Sequence, residues 1–313
     1  MPLGLKMRVL LLVQQMIGGK PMHKLTVIEA RKVALAQIPK SRKPVSIANI
    51  KNRTIPGPAG EIPIRIYTPE GMVSFPLVIF FHGGGFVVGT LDSYEEMCRT
   101  LCCGAGCIVV SVDYRLAPEY KFPAALDDCL AATRWAAEHA AEFNADPTQL
   151  VVAGDSAGGN LATVTALRIR DEGGPPLCGQ LLIYPVTDFP TPPTPSYLAY
   201  ANGYLLTRDS MVWFWGHYLN SASEASHPYA SPLRAPDLSG LPPALVITAE
   251  YDPLRDEGER YAERLQLAGV PTVLSRYDGM IHGFFMFGDL FNESRRAINE
   301  ANAWLKQATA RSG

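Results

Sequence analysis

The chain has 313 residues, 47% of them hydrophobic and 19% charged, with a formal net charge of −2. This apolar content supplies a sizeable core and excludes a mainly disordered chain, while the length allows one large domain or two ordinary ones. No basic stripe or acidic run stands out among 28 basic and 30 acidic side chains, which argues against nucleic acid as a partner.

Lys6 and Arg8 precede a short apolar run, Val9–Val13, that breaks at Gln14-Gln15 with no A-x-A site after it. The pattern reads as a surface helix rather than a signal peptide. No apolar stretch approaches the ~20 residues needed to span a bilayer, so no stable membrane insertion is expected. Thr26 followed by Glu29 reads as a capping box opening a helix through Leu35, and Pro39 and Pro44 end the helical pattern. Ser46–Ile55 and Ile62–Tyr67 alternate around Pro56-Gly57-Pro58-Ala59-Gly60, the signature of an edge hairpin.

Beyond the hairpin, buried-strand character recurs at Leu77–Phe81, Ile108–Val112, Leu150–Ala153, Leu181–Tyr184, Ala244–Thr248 and Thr272–Leu274. Helical segments lie between and after these runs: Tyr94–Cys103, Ala124–Phe143, Gly159–Asp171, Asp256–Ala268 and Glu293–Ala308. Alternation of this kind predicts an α/β fold with a mostly parallel sheet covered on both faces. Residues 189–230 break the rhythm with Pro190, Pro192, Pro193 and Pro195, then Trp213-Phe214-Trp215. An aromatic insertion after a strand end, where α/β sites lie, reads as a lid. Four of the six cysteines (Cys98, Cys102, Cys103, Cys107, Cys129, Cys178) fall within ten positions. Their spacing is not C-x-x-C and no histidine lies among them, so they read as buried free thiols of a reducing cytoplasm rather than a metal site.

Gly154-Asp155-Ser156-Ala157-Gly158 stands directly after one strand and before one helix. That is the context a G-x-S-x-G nucleophile elbow requires. His82-Gly83-Gly84-Gly85-Phe86 follows another strand, and its bare backbone offers N–H groups to a developing oxyanion. No G-K-[ST] follows, so it is not a phosphate loop. With a serine nucleophile, the acid and base follow in the order Asp or Glu, then His. His282 is the histidine late enough in the chain. His217 and His227 fall in the insertion, while His23 and His139 sit on helices. His82 precedes the serine and is expected to hold the glycine loop by hydrogen bonds. Asp252 follows a strand closely, and Pro253 favours an extended backbone at Asp252. Its rivals are Glu250, Asp256, Glu257 and Asp278. Asp256 and Glu257 read as first-turn helix acids facing the dipole.

These motifs resemble the hormone-sensitive lipase family of esterases, which includes bacterial and archaeal carboxylesterases of family IV. The resemblance rests on His82–Gly85, Ser111–Glu119, Gly154–Asn160, Asp252–Gly258 and His282-Gly283-Phe284. It implies an α/β-hydrolase fold with an eight-stranded, mostly parallel sheet and a helical cap. The cap would be residues 1–45 and 189–225, and the catalytic domain residues 46–188 and 226–313. The implied triad is Ser156, Asp252 and His282, with oxyanion donors at Gly84, Gly85 and Ala157 and Gly83 in the same loop. His82, Phe86, Asp155, Tyr184, Leu206, Met211 and Phe214 are expected around the substrate, with Trp215 beside them, although the insertion's apolar residues could equally pack the lid onto the body. The implied reaction is hydrolysis of short- to medium-chain acyl esters, with no metal or cofactor. Self-association would use Thr272–Tyr277 and Glu293–Ala308. A hormone receptor of related sequence would lack the catalytic histidine. A large serine peptidase would carry a propeller repeat or an extra domain. A scaffold protein would have no use for the four motifs in this order.

Overall fold

The computed structural model of the chain describes residues 3–17, 19–36, 44–71, 74–288 and 290–310. It begins with α1 (Leu5–Ile17), a 3-10 turn (Met22–Lys24) and α2 (Val27–Ala36). The capping box is present: the Thr26 N–H donates to Glu29 Oε2 at 2.8 Å and the Glu29 N–H to Thr26 Oγ1 at 3.3 Å. Pro39, expected to end the helical pattern, lies outside the described residues.

The next elements in the chain are β1 (Asn49–Gly57), β2 (Gly60–Thr68), β3 (Phe75–Phe81), α3 (Glu95–Ala105), β4 (Ile108–Val112), α4 (Ala124–Glu138), β5 (Ala145–Asp155), α5 (Ala157–Glu172) and β6 (Gly179–Ile183). After these come α6 (Pro195–Ala199), α7 (Arg208–Tyr218), β7 (Ala244–Tyr251), α8 (Arg255–Leu267), β8 (Thr272–Ile281) and α9 (Asn292–Ala308). The strands form one eight-stranded sheet in the order β1-β2-β4-β3-β5-β6-β7-β8. β1, β2 and β4 pair antiparallel, and every pairing from β4–β3 to β7–β8 is parallel. The hairpin turn is tighter than the sequence suggests, because Gly57 pairs with Gly60 and leaves Pro58-Ala59 as the loop. The helix expected over Ala124–Phe143 breaks at His139 into a 3-10 turn, Ala140–Phe143, closed by Asn144 in the left-handed region.

Side-chain alternation explains the continuous apolar strands. Leu77, Ile79 and Phe81 of β3 enter one core with Leu126, Leu161 and Tyr261 from α4, α5 and α8. Val78 and Phe80 enter the other with Leu101 and Leu305 from α3 and α9. Both faces of each central strand are therefore dry, which is why polar residues do not interrupt them. β7 and β8 extend further than their apolar runs, because pairing continues through Ala249↔Tyr277 and Tyr251↔Ile281. The extension delivers Asp252 and His282 to the carboxyl edge of the sheet, beside the ends of β3 and β5.

Candidate active site

The site is built from four strand ends. Ser156 sits between β5 and α5 with φ 54° and ψ −119°, a conformation that L-residues rarely adopt. The surrounding close approach dictates its glycine neighbours. A Cβ on Gly158 would collide with the Phe81 carbonyl, and one on Gly154 with the Gly158 backbone. The strained turn is held by backbone bonds on both sides: Ser156 N–H to Ile183 O at 2.8 Å, and Val186 N–H to Ser156 O at 3.1 Å.

From β8, the His282 Nε2 lies 3.0 Å from Ser156 Oγ, and its Nδ1 lies 2.7 Å from Asp252 Oδ2. The other carboxylate oxygen of Asp252 accepts the Leu254 N–H at 2.9 Å. Asp252 is fully buried and Ser156 and His282 nearly so. Among the described residues His282 bonds to none of the rival acids. Glu250 accepts the Gly279 N–H at 2.7 Å, Asp256 accepts the Ser196 N–H at 2.7 Å, and Asp278 is exposed. Glu257 lies in the first turn of α8, as expected, but does not face solvent. It points inward, buried, and accepts the Thr187 N–H at 2.8 Å and the Asp188 N–H at 3.3 Å. Burial raises its carboxyl well above the usual range.

The glycine loop after β3 also differs in part from expectation. The Gly83 N–H donates to Asp155 Oδ1 at 2.8 Å, so this amide is already committed and does not belong among the oxyanion donors. The Gly84 and Gly85 amides have no acceptor among the described residues. Ala157 is the first residue of α5, where an N–H has no partner in its own helix. These three amides, beside a helix N-terminus, suit a developing negative charge. Positive φ at Gly84 (117°) and Gly85 (60°) turns the loop, and a side chain on Gly84 would strike the Val88 carbonyl.

Asp155 is a strut between elbow and loop. Besides the Gly83 amide, it receives the Tyr94 hydroxyl at 3.3 Å and is nearly sealed from solvent. Burial pushes its pKa up to about 7, against the opposing pull of the Gly83 amide. A folded pKa above the unfolded value of 3.8 means the folded state holds the proton more tightly. The burial cost is therefore absent at low pH, grows as pH rises from about 4 through about 7, and is constant above. Asp155→Asn removes the ionisation. The variant is expected to gain on the wild type by on the order of a few kcal/mol between pH 4 and pH 8, read by urea unfolding. A difference independent of pH would contradict this.

His82 likewise holds the loop. It is fully buried between Tyr114, stacked at 4.3 Å, and Tyr94 at 5.4 Å, with Nδ1 2.8 Å from the Gly83 carbonyl. Burial lowers its pKa to about 4, so the ring is neutral. The Tyr114 hydroxyl donates to the His82 carbonyl at 2.7 Å. Sequence reasoning missed the bracing roles of Tyr94 and Tyr114, which lie nine and 29 positions after Gly85.

The remaining expected substrate contacts divide. Phe86 is buried and stacked on Tyr218, ring centroids 3.8 Å apart, so it serves packing. Tyr184 is buried against the His282 ring at 4.6 Å and supports the imidazole. Met211 is sealed in the body core, Leu206 packs against that core, and Trp215 meets Phe86, Phe189 and Tyr218. Phe214 reaches the site: a Cβ on Gly85 would run into its ring. Leu205, which the sequence does not single out, has φ 71° and lies against Gly283 beside the histidine.

Parallel strands flanked by helices, with a strained serine at one strand end and an aspartate–histidine pair at two others, define an α/β hydrolase. Residues 78–286 match the α/β-hydrolase fold family. The carboxylic ester hydrolase LipN of Mycobacterium tuberculosis is 45% identical over 269 residues, 84% of this chain and 71% of that protein. The ethyl acetate hydrolase of Pseudomonas putida is 38% identical over 288 residues, 89% of each chain. Among solved structures, a thermostable esterase from Pseudomonas putida superposes with a TM-score of 0.94 at 39% identity, covering 99% of this chain and 98% of that one. The hyperthermophilic esterase of the archaeon Pyrobaculum calidifontis gives 0.91 at 43% identity, covering 99% and 100%. The chain belongs to this α/β-hydrolase family, in its hormone-sensitive-lipase-type branch.

Proposed function

We propose that this protein is a serine carboxylesterase that works through an acyl-enzyme on Ser156. Its esterase relatives make ester hydrolysis the class of reaction. The observation that carries the finer reading is the unbroken hydrogen-bonded line from Ser156 Oγ through His282 to Asp252, at 3.0 and 2.7 Å. In this reading Asp252 keeps the proton on His282 Nδ1, which leaves Nε2 free to accept the serine proton as Oγ attacks the ester carbonyl. Gly84, Gly85 and Ala157 stabilise the oxyanion, each worth on the order of 10²–10³ in turnover. The carbonyl–alkoxy bond breaks, and the leaving alcohol takes the proton from Nε2. Water then attacks the acyl-serine with His282 again as base, and the acid is released.

Residues 1–45 and 189–225 act as a cap in this reading. The Met22–Lys24 turn packs on α7, whose Phe214 lies on the glycine loop. Arg31 of α2 donates to the Val87 carbonyl at 2.9 Å and the Ala117 carbonyl at 3.1 Å. The Ser196 hydroxyl of α6 donates to the Pro253 carbonyl, next to Asp252, at 2.6 Å. The cap is thus tied to both the oxyanion loop and the acid loop. Short to medium esters are the proposed substrates. A series of p-nitrophenyl esters is expected to peak at short or medium acyl length, and a maximum at long chains would overturn that preference. The six unpaired cysteines suit a reducing cytoplasm. The outer edge of β8, with α9 beside it, is the surface proposed for a homodimer. The triad itself is tested by fluorophosphonate labelling, which is expected to add to the peptide that carries Ser156.

A further inference from the structure

The near-neutral total charge conceals an asymmetry that a whole-chain count does not reveal. Residues 1–45 hold nine lysines and arginines against one acidic residue, Glu29, and the rest of the chain holds 19 against 29. The same segment presents apolar side chains to solvent in a pattern. On α1, Val9, Leu12, Val13 and Met16 recur at i, i+3, i+4 and i+7, and their exposures are 50, 56, 42 and 85%. Met7 and Leu11, on the opposite face, are buried in the body. With a step of about 100° per residue, Arg8 falls beside Leu12 on one margin of the stripe and Lys6 beside Val13 on the other. On α2, Ile28 and Leu35 are exposed at i and i+7 with exposed Lys32 between them. The inner side of α2 is fixed through Ala30, which is buried, and Arg31, which forms an ion pair with Glu119 at 2.7 Å. Lys20 and Lys24, between the helices, are also exposed.

We propose that this outer face of α1 and α2 docks the protein onto an anionic lipid surface. An apolar stripe rimmed by long basic side chains suits the boundary between acyl chains and phosphate headgroups. Leu12 and Met16 would enter the boundary, while Lys6 and Arg8 reach up to the phosphates. α1 lies along the surface and does not cross it, since no helix among the described residues is long and apolar enough to span. A second copy of the chain is a poorer occupant. A two-fold contact through this face would set two strongly basic segments against each other. Nucleic acid would satisfy the charges but leave the apolar stripe against phosphates. The docked face belongs to the segment whose Met22–Lys24 turn rests on α7, so the bilayer would lie near the entrance over Phe214 and Gly85. Esters partitioned into the lipid would then be concentrated at the site.

The binding claim rests on the surface and not on the assignment of Ser156, and flotation reads it without any turnover. The full chain is mixed with vesicles of phosphatidylcholine alone or of equal parts phosphatidylcholine and phosphatidylglycerol. Recovery with the anionic vesicles is expected to be at least about tenfold higher than with the neutral ones, and to fall as salt is raised. The double variant Leu12→Glu/Met16→Glu is expected to lose at least about tenfold of that recovery. Its circular dichroism and its activity on p-nitrophenyl acetate without vesicles should not change, since both positions already face solvent. Failure of the wild type to float with anionic vesicles overturns the proposal. So does equal flotation of the double variant. So does a vesicle-free dimer, detected by light scattering, that the double variant dissociates, because the face would then belong to a second copy.

Discussion

Replacing Ser156 by alanine is expected to lower kcat about 10⁶-fold, with KM little changed. Among the described residues the hydroxyl is bonded to His282 alone, so its removal takes away the nucleophile and leaves the scaffold. The bonds that hold the elbow are main-chain ones: to Ile183 and from Val186 and Asn160. Alanine keeps all three. It adopts the same φ of 54° with the same Cβ that serine carries, so the substitution adds no backbone strain. The oxyanion amides survive in the variant, and a residual acceleration of about 10³–10⁴ over water is expected from them and from binding. The measurement is turnover of p-nitrophenyl acetate, paired with fluorophosphonate labelling of wild type and variant. Retention of most activity, or a label on another residue, would remove Ser156 from the mechanism.

The parts of the site that could be read from sequence are those imposed by close backbone contact. Gly154 and Gly158 are glycines because main chain passes where their Cβ atoms would be, at Gly154 from within the same turn and at Gly158 from the end of β3. The positions of Asp252 and His282 were readable for a related reason. Each immediately follows a strand, and parallel strands put those ends on one edge. What the sequence could not reveal depends on partners far along the chain. The Gly83 amide looks like its neighbours until Asp155, 72 positions later, is seen to take it. Glu257 and Asp256 are adjacent acids in the same helical turn, yet one turns inward to the Thr187 and Asp188 amides just before the insertion and the other faces Ser196. Among the aromatic residues of the insertion, composition alone could not separate Trp215, which packs, from Phe214, which meets the glycine loop. Even hydrophobicity predicts the strand and not its length: β8 continues through Ser275 and Arg276 because its pairing with β7 continues.

The insertion also joins parts of the site that the sheet holds apart. Through Ser196 it grips the Pro253 carbonyl and the Asp256 carboxylate at the acid loop. Through Phe214 it rests on Gly85 at the oxyanion loop. In the proposed mechanism, a shift of the insertion would move its contacts at Pro253 and Gly85 together, and the acid and the oxyanion donors with them.

Asp252→Asn is expected to cost about 10⁴ in kcat while leaving the fold and the distances nearly intact. The direction follows from a hydrogen bond away from the histidine. Asp252 Oδ1 accepts the Leu254 N–H at 2.9 Å. An asparagine in its place keeps that bond only by presenting its carbonyl oxygen to Leu254, and its amide nitrogen then faces His282. The NH₂ donates, so His282 Nδ1 must accept, and the imidazole proton moves to Nε2. An Nε2 that carries a proton cannot take one from Ser156 Oγ, 3.0 Å away. The serine stays protonated although every atom is in place. Asp252→Ala would lose less of this specific block and more of the packing, because a fully buried carboxylate site would be emptied. The asparagine variant therefore separates tautomer control from support. Activity within about tenfold of wild type in Asp252→Asn would mean that the carboxylate does not set the histidine tautomer, and Asp252 would be reduced to a residue that holds a loop.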